Sequence, residues 1–428
     1  MAESYLEAEH RTLRDTVRAF AQKPVARRIP AWEKSRRIER DIPRRCARKG
    51  WIGATIPAEY GGMAIGHLGK TLMLEELSRV SAAMGMAVQA SQLGVAKILH
   101  LGSEAQKKSW LPKIAAGTVL PTIAVTEPGS GGHVLGMEAT ARRVGDDYLL
   151  NGTKVFVGNS HIGNLHGVVV RTGPGSKGLS AFLVEADRPG LTLGRLRPSM
   201  GLHGFAFGEL RFDNCRIPAA NLLGNEGDGL DVAYSSSVLY GRLNLAAVAL
   251  GINQAIYETT IEVATTRHRY GKPLSELPTV RHKIGLMLQQ LMTARLTAYH
   301  AADLLDQGLP CDAELMSAKY LNTESAIDAA RTSMEIHAAE GLSTEQPLER
   351  YTRDAFHTYA PAGTSDIQLL RLAETALAIP GSERQWSQRF ATRQGPRHAR
   401  QHPGERHQMA VHTPLDRLSQ ALTPLTRP

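Results

Sequence analysis

The stretch Ala124-Val125-Thr126-Glu127-Pro128-Gly129-Ser130-Gly131-Gly132 follows a short apolar run and is dense in small residues. Such a backbone lets its N–H groups approach a flat or anionic ligand closely. Read alone, it is equally a plain glycine-rich turn. Metal and disulfide chemistry find no such foothold: Cys46, Cys215 and Cys311 lie far apart without C-x-x-C spacing, so no metal site is expected and a reducing cytoplasm is. Aromatic residues make up 5%, which disfavours recognition of nucleic acid by base stacking.

The elements that must position this loop follow from length and pattern. A chain of 428 residues with 42% apolar and 21% charged residues is long enough for several globular cores. Of the net charge of +9, a large part falls after Pro380, where eight arginines face three acids. That Arg/His/Gln/Pro-rich stretch, 381–428, lacks periodicity and reads as a disordered tail. Association of this tail with nucleic acid is the weaker reading. The polar N-terminus and the absence of an apolar run of about 20 residues predict neither export nor membrane insertion.

Residues 1–120 read as helices: a helical period runs through Thr71–Met84 with Glu75, Glu76 and Arg79 on its polar face, and Ser103 with Gln106 forms a capping box. From 121 to 228, short apolar runs predict strands at Ile123–Val125, Tyr148–Leu150, Lys154–Val157, Gly167–Val170, Ala181–Val184 and Leu210–Phe212. Asn151-Gly152 between two of these predicts a hairpin turn. From 229 to 380 the helical period returns, with breaks near Gly271–Pro278, Gly308–Pro310 and Gly341–Pro347 that divide it into about four helices.

In this order the chain resembles the acyl-CoA dehydrogenase family of flavoproteins. The resemblance is carried by the Thr126-Glu127-Pro128-Gly129 stretch, by Asn151 through Asn159, by Met200-Gly201-Leu202-His203-Gly204 through Gly224, by Arg267-His268-Arg269-Tyr270-Gly271, and by Arg353-Asp354 through Asp366. It implies an α+β fold: an N-terminal helical domain, a middle β-barrel domain and a C-terminal four-helix bundle, in a homodimer or homotetramer that binds FAD across a subunit interface. It places Ala124, Val125, Thr126, Ser130, Phe156, Val157 and Gly158 at the cofactor, with Phe156 in place of a tryptophan. Arg267, beside Arg269 and Tyr270, is placed toward a neighbouring subunit's pyrophosphate, for which a planar, always-charged donor is suited. Thr364 and Asp366 fall at flavin positions, and Gly132, Leu239 and Tyr240 at substrate positions.

The same resemblance exposes departures. The family's catalytic glutamate falls at Ala362, and the alternative position for the base, before Arg242, is Gly241. Gly158 stands for a threonine near the reactive flavin nitrogen, Pro278 for a cofactor-contacting glutamine, Glu335 for a glutamine, and Ala338-Ala339 for a glycine pair. The Ala362 N–H can still polarise a thioester carbonyl. The expectation is an FAD-dependent oxidoreductase acting on an acyl thioester of coenzyme A or a carrier protein, with a non-standard route to proton removal and the electron acceptor left open. Its alternatives are an oxygenase using space opened by Gly158, or a silent homologue that binds an acyl chain or partner. His203, His357 and Tyr240 are candidates for a replacement base.

Overall fold

The computed structural model describes residues 2–382 and 385–391. Helices Ala8–Phe20 (α1), Ile29–Ser35 (α2) and Asp41–Arg48 (α3) precede Gly66–Val80 (α4), Ala82–Leu101 (α5) and Glu104–Ala115 (α6). The Ser103–Gln106 capping box forms as expected at the start of α6. The Thr71–Met84 period, by contrast, is broken at Ser81, whose extended backbone and side-chain acceptance from the Met84 N–H start a new helix. Helix α5 is buried on nearly every side, as a central helix must be. Glu75 and Glu76 are buried too, because Arg295 and Tyr299 pair with the first and Arg18 with the second.

The middle segment forms strands Pro121–Ala124 (β1), Thr140–Val144 (β2), Asp147–Gly158 (β3), Leu165–Arg171 (β4), Leu179–Glu185 (β5), Leu191–Leu196 (β6) and Phe207–Pro218 (β7). Their order is β1-β4-β2-β3-β7-β6, with β5 on β4. Asn151-Gly152 does not turn the chain. It is an irregularity inside one continuous strand, where the register with β7 shifts. The hairpin instead reverses between Val144 and Asp147, at Gly145 with φ 62°. Asn151 spends its side chain on the Asn214 N–H at 2.8 Å, and a Cβ on Gly152 would come within 2.5 Å of the Ala139 methyl group.

Helix Gly229–Tyr234 (α7) runs through a π-helical turn, Ser235–Arg242, into Leu243–Thr266 (α8). A ribbon of His268–Arg269 (β8) and Lys272–Pro273 (β9) leads to Pro278–Asp306 (α9), Asp312–His337 (α10), Pro347–Ala355 (α11) and Ser365–Ala376 (α12). Helix Trp386–Ala391 (α13) lies within the stretch read as disordered, and it is ordered because its aromatic face is buried. The remainder of that stretch lies outside the described residues. No helix among the described residues is long and apolar enough to cross a membrane.

Ala338, at the first position of the expected glycine pair, has φ 55° and ψ −138°, a backbone region that glycine occupies and a Cβ disfavours. Ala338→Gly is therefore expected to stabilise the protein by about 1 kcal/mol, read as a raised midpoint in chemical denaturation. An unchanged or lowered midpoint would show that the backbone there is not strained.

Candidate active site

Strand β1 delivers the chain to the glycine-rich turn, and a buried ion pair fixes the turn's base. Lys154 of β3 donates to Glu127 at 2.6 Å and to the Val125 carbonyl at 2.9 Å, while Glu127 also accepts the N–H groups of Glu138 and Ala139. Glu127 is thus a structural anchor that closes the loop. Ser130 is buried and its hydroxyl donates to the His133 carbonyl at 2.5 Å, so it too is spent on loop structure. Open space surrounds Gly129, Gly131 and Gly132, which leaves their backbone free to be approached.

Two residues beyond Lys154 the register with β7 shifts again, and Phe156 adopts φ 55°. A bulge with a bulky residue in the left-handed region re-aims the side chain. Phe156 emerges 47% exposed, its ring 5.2 Å from Phe207 and under the Arg197 guanidinium at 4.6 Å. Val157, its neighbour, points into the β core. Gly158 does not open the expected space. A Cβ there would meet the Ala90 methyl group at 2.8 Å and the Phe205 ring at 3.1 Å, so glycine serves close packing of α5 against the sheet.

The two positions for a base converge. A Cβ built on Gly241 would lie 3.1 Å from the Ala362 Cβ and 3.7 Å from Leu93 of α5. Gly241 therefore also permits close approach and does not leave an empty chamber. Ala362 sits in the left-handed region at φ 57°, followed by Gly363 at φ 92°. This turn is pinned from below by Lys319 of α10, which donates to the carbonyls of Tyr359, at 2.5 Å, and Gly363. Gln368 adds bonds to the carbonyls of Ala362 and Gly363 at 3.0 Å each. Burial, with the Arg242 charge nearby, lowers the Lys319 amine to about 7. Carbonyls are thus consumed below, while the Ala362 N–H has no hydrogen-bond partner among the described residues. Arg242 keeps an unpartnered, buried Nε, and burial lowers its pKa.

None of the candidate replacement bases is brought to this point by a contact. The Tyr240 hydroxyl is 2.7 Å from Thr55 Oγ1, with the Lys70 amine 4.0 Å from its ring centre. His203 shares its Nδ1 with Glu33 at 2.9 Å, and His357 accepts the Gly201 N–H at 2.9 Å. Leu239 is buried in the main core. Thr364 caps α12 through the Ile367 N–H, and Asp366 is exposed beside it. Arg267 donates to the His337 carbonyl at 2.7 Å at the foot of the β8–β9 ribbon. At the ribbon's tip Tyr270 and Gly271 both have positive φ, as a two-residue turn requires, and Tyr270 is 90% exposed. Arg269 is spent on its neighbour's carbonyl at 2.7 Å, and Glu335 pairs with Lys283. Sequence reasoning missed Lys319 and the Glu127–Lys154 pair, although both partners of the pair lie inside motifs it singled out.

Asp354 braces the site from the side by accepting the Leu202 N–H at 2.6 Å, three residues before Phe205. Burial raises its carboxyl to about 6 from 3.8. Because the folded value lies above the unfolded one, this group favours folding when protonated, and stability falls as pH rises through 3.8 to 6. Asp354→Asn, which keeps the acceptor oxygen, is expected to stabilise the protein by on the order of 2 kcal/mol at pH 7.5 and little at pH 4. Urea denaturation at the two pH values checks it; equal effects would place the Asp354 charge in balance with its neighbours.

The acyl-CoA dehydrogenase N-terminal, middle and C-terminal domain families match residues 7–118, 122–215 and 227–377. An acyl-CoA dehydrogenase of Bacillus subtilis is 35% identical over 87% of this chain and 99% of its own. Among solved structures, the prolyl acyl carrier protein oxidase AnaB is 30% identical with a TM-score of 0.81, covering 86% of this chain and 99% of its own. A glutaryl-CoA dehydrogenase of Mycobacterium smegmatis in complex with FADH2 is 27% identical with a TM-score of 0.82, covering 89% and 96%. The chain belongs to the acyl-CoA dehydrogenase family, oxidoreductases acting on CH–CH groups.

Proposed function

We propose that this protein is an FAD-dependent oxidoreductase of acyl thioesters, carried by coenzyme A or a carrier protein, that has no side-chain base of its own. The observation that carries the reading is the convergence of Gly241 and Ala362 on one spot, with no carboxylate at either.

The residues present fit the cofactor. The open backbone of Gly129–Gly132, Thr126 and the exposed face of Phe156 would hold the ring from the β side, with Thr364 and Asp366 on the bundle side. Arg267 and the Tyr270 ribbon would reach a neighbouring subunit's cofactor in a homodimer or homotetramer; the exposed Tyr270 and the exposed Leu369 and Leu370 of α12 support such an assembly. When bound, FAD supplies a hydride acceptor.

The chain's own contribution is positioning. The unpartnered Ala362 N–H is free to donate to a thioester carbonyl, and Lys319 and Gln368 hold the peptide units that follow it. Such a donor is worth about 3 kcal/mol where negative charge develops on the oxygen. A placed base is worth roughly 10²–10⁴-fold in removing the Cα proton; without one, an acidified Cα–H gives its proton to solvent water, and a substrate that decarboxylates forms the enolate with no proton removed. Substrates that meet this demand carry an acidified Cα–H or generate the enolate by losing carbon dioxide. The oxygenase reading loses its support, since Ala90 and Phe205 crowd Gly158. The buried, unpaired cysteines suit a reducing, cytoplasmic setting.

Flavin-loaded protein is expected to bleach anaerobically with a thioester bearing an electron-withdrawing group next to Cα, and to respond weakly to butyryl-CoA. Ala362→Glu should speed bleaching by butyryl-CoA by about 10²-fold or more. Gly241→Glu should gain less, because its Cβ would press on Ala362 at 3.1 Å. A protein that cannot be loaded with flavin would overturn the reading in favour of a silent homologue.

A further inference from the structure

The family match ends at residue 377, but the chain returns to the body through Gln385 and helix α13. Its first turn is locked to the start of α10 in both directions. The Asp312 carboxylate accepts the N–H groups of Trp386 and Ser387 at 2.8 Å each, and Ser387 Oγ accepts the Cys311 N–H at 2.9 Å. On the opposite flank Arg389 pairs with Asp231 of α7. Between these two anchors the Trp386 ring lies 4.7 Å from Tyr234, and Phe390 is fully buried 5.6 Å from His100. His100 in turn faces the Tyr240 ring at 6.2 Å.

What this segment braces is the path from α7 into the π-helical turn Ser235–Arg242, the turn that carries Gly241 and Arg242. A π-helical turn is less favourable than the α-helix on either side of it and persists only where packing holds it. Tyr240 is held on one side by Thr55 and Lys70 and, through His100, on the other by Phe390.

We propose that residues 385–391 are a strap that keeps the π-helical turn in register, so that the approach of Gly241 to Ala362 depends on a segment outside the part of the chain shared with the family. The strap acts on position, through Tyr234 and through His100 and Tyr240. Its reciprocal bonds, strap N–H groups to the Asp312 carboxylate and the Cys311 N–H to the Ser387 hydroxyl, make it a latch that closes as a unit, with Phe390 as the wedge. The inference stands on packing alone and does not require the flavin reading.

Hydrogen–deuterium exchange on the full chain tests it. In Phe390→Ala, amides of residues 235–242 are expected to exchange about tenfold faster, with the centre of α9 and strand β3 unchanged. Arg389→Ala, which leaves the buried ring in place, should move the same amides in the same direction by less, and Phe390→Leu should restore most of the protection. Unchanged exchange at 235–242 in Phe390→Ala would overturn the proposal. A uniform rise over the whole chain in both variants would overturn it as well, since it would show loss of overall stability without a local role.

Discussion

A single buried amine determines where the functional turn sits. Lys319 donates to the carbonyls of Tyr359 and Gly363, and Gln368 to those of Ala362 and Gly363, so the peptide units that follow Ala362 are held from one side. Burying a lysine is costly unless its protons are used, and here the carbonyls of a turn that cannot satisfy itself use them. The left-handed backbone at Ala362 and its approach to Gly241 belong to the turn held in this way. The Ala362 N–H itself has no hydrogen-bond partner among the described residues.

The opposite wall follows from a second buried cation. Lys154 and Glu127 close the base of the glycine loop, and the strand that carries Lys154 bulges two residues later to turn Phe156 outward. Breaking such a pair by removing one partner leaves an uncompensated buried charge, typically worth 3–5 kcal/mol, so the loop and bulge stand or fall together. Between the walls, α5 is the common reference: Ala90 abuts Gly158 and Leu93 abuts Gly241. Small residues at both points let the sheet and the bundle meet the same helix closely. The site is therefore tight at its edges, and neither Gly241 nor Ala362 carries a carboxylate.

Much of this was legible in the chain. The order of helices, strands and helices, the breaks in the bundle and the capping box at Ser103 follow from local periods and punctuation, which do not depend on distant partners. What escaped was long-range. Asn151-Gly152 has the chemistry of a hairpin turn, yet pairing with β7 keeps the strand running and converts it to a bulge. Phe205 lies 47 residues from Gly158 in the sequence and fills the room that a missing side chain promised. A lysine in an amphipathic helix reads as solvated, so Lys319 gave no signal of its task. The aromatic residues Trp386 and Phe390 were the one hint that the basic tail is not featureless at its start.

On the proposed function, this site holds and polarises a thioester but does not itself take the Cα proton. Incubating the flavin-loaded protein with butyryl-CoA in deuterium oxide and following the Cα signal by NMR tests it directly. No enzyme-dependent deuterium uptake is expected in the native protein, and clear uptake is expected in Ala362→Glu. Rapid exchange by the native protein would contradict it, because some group would then be serving as the base.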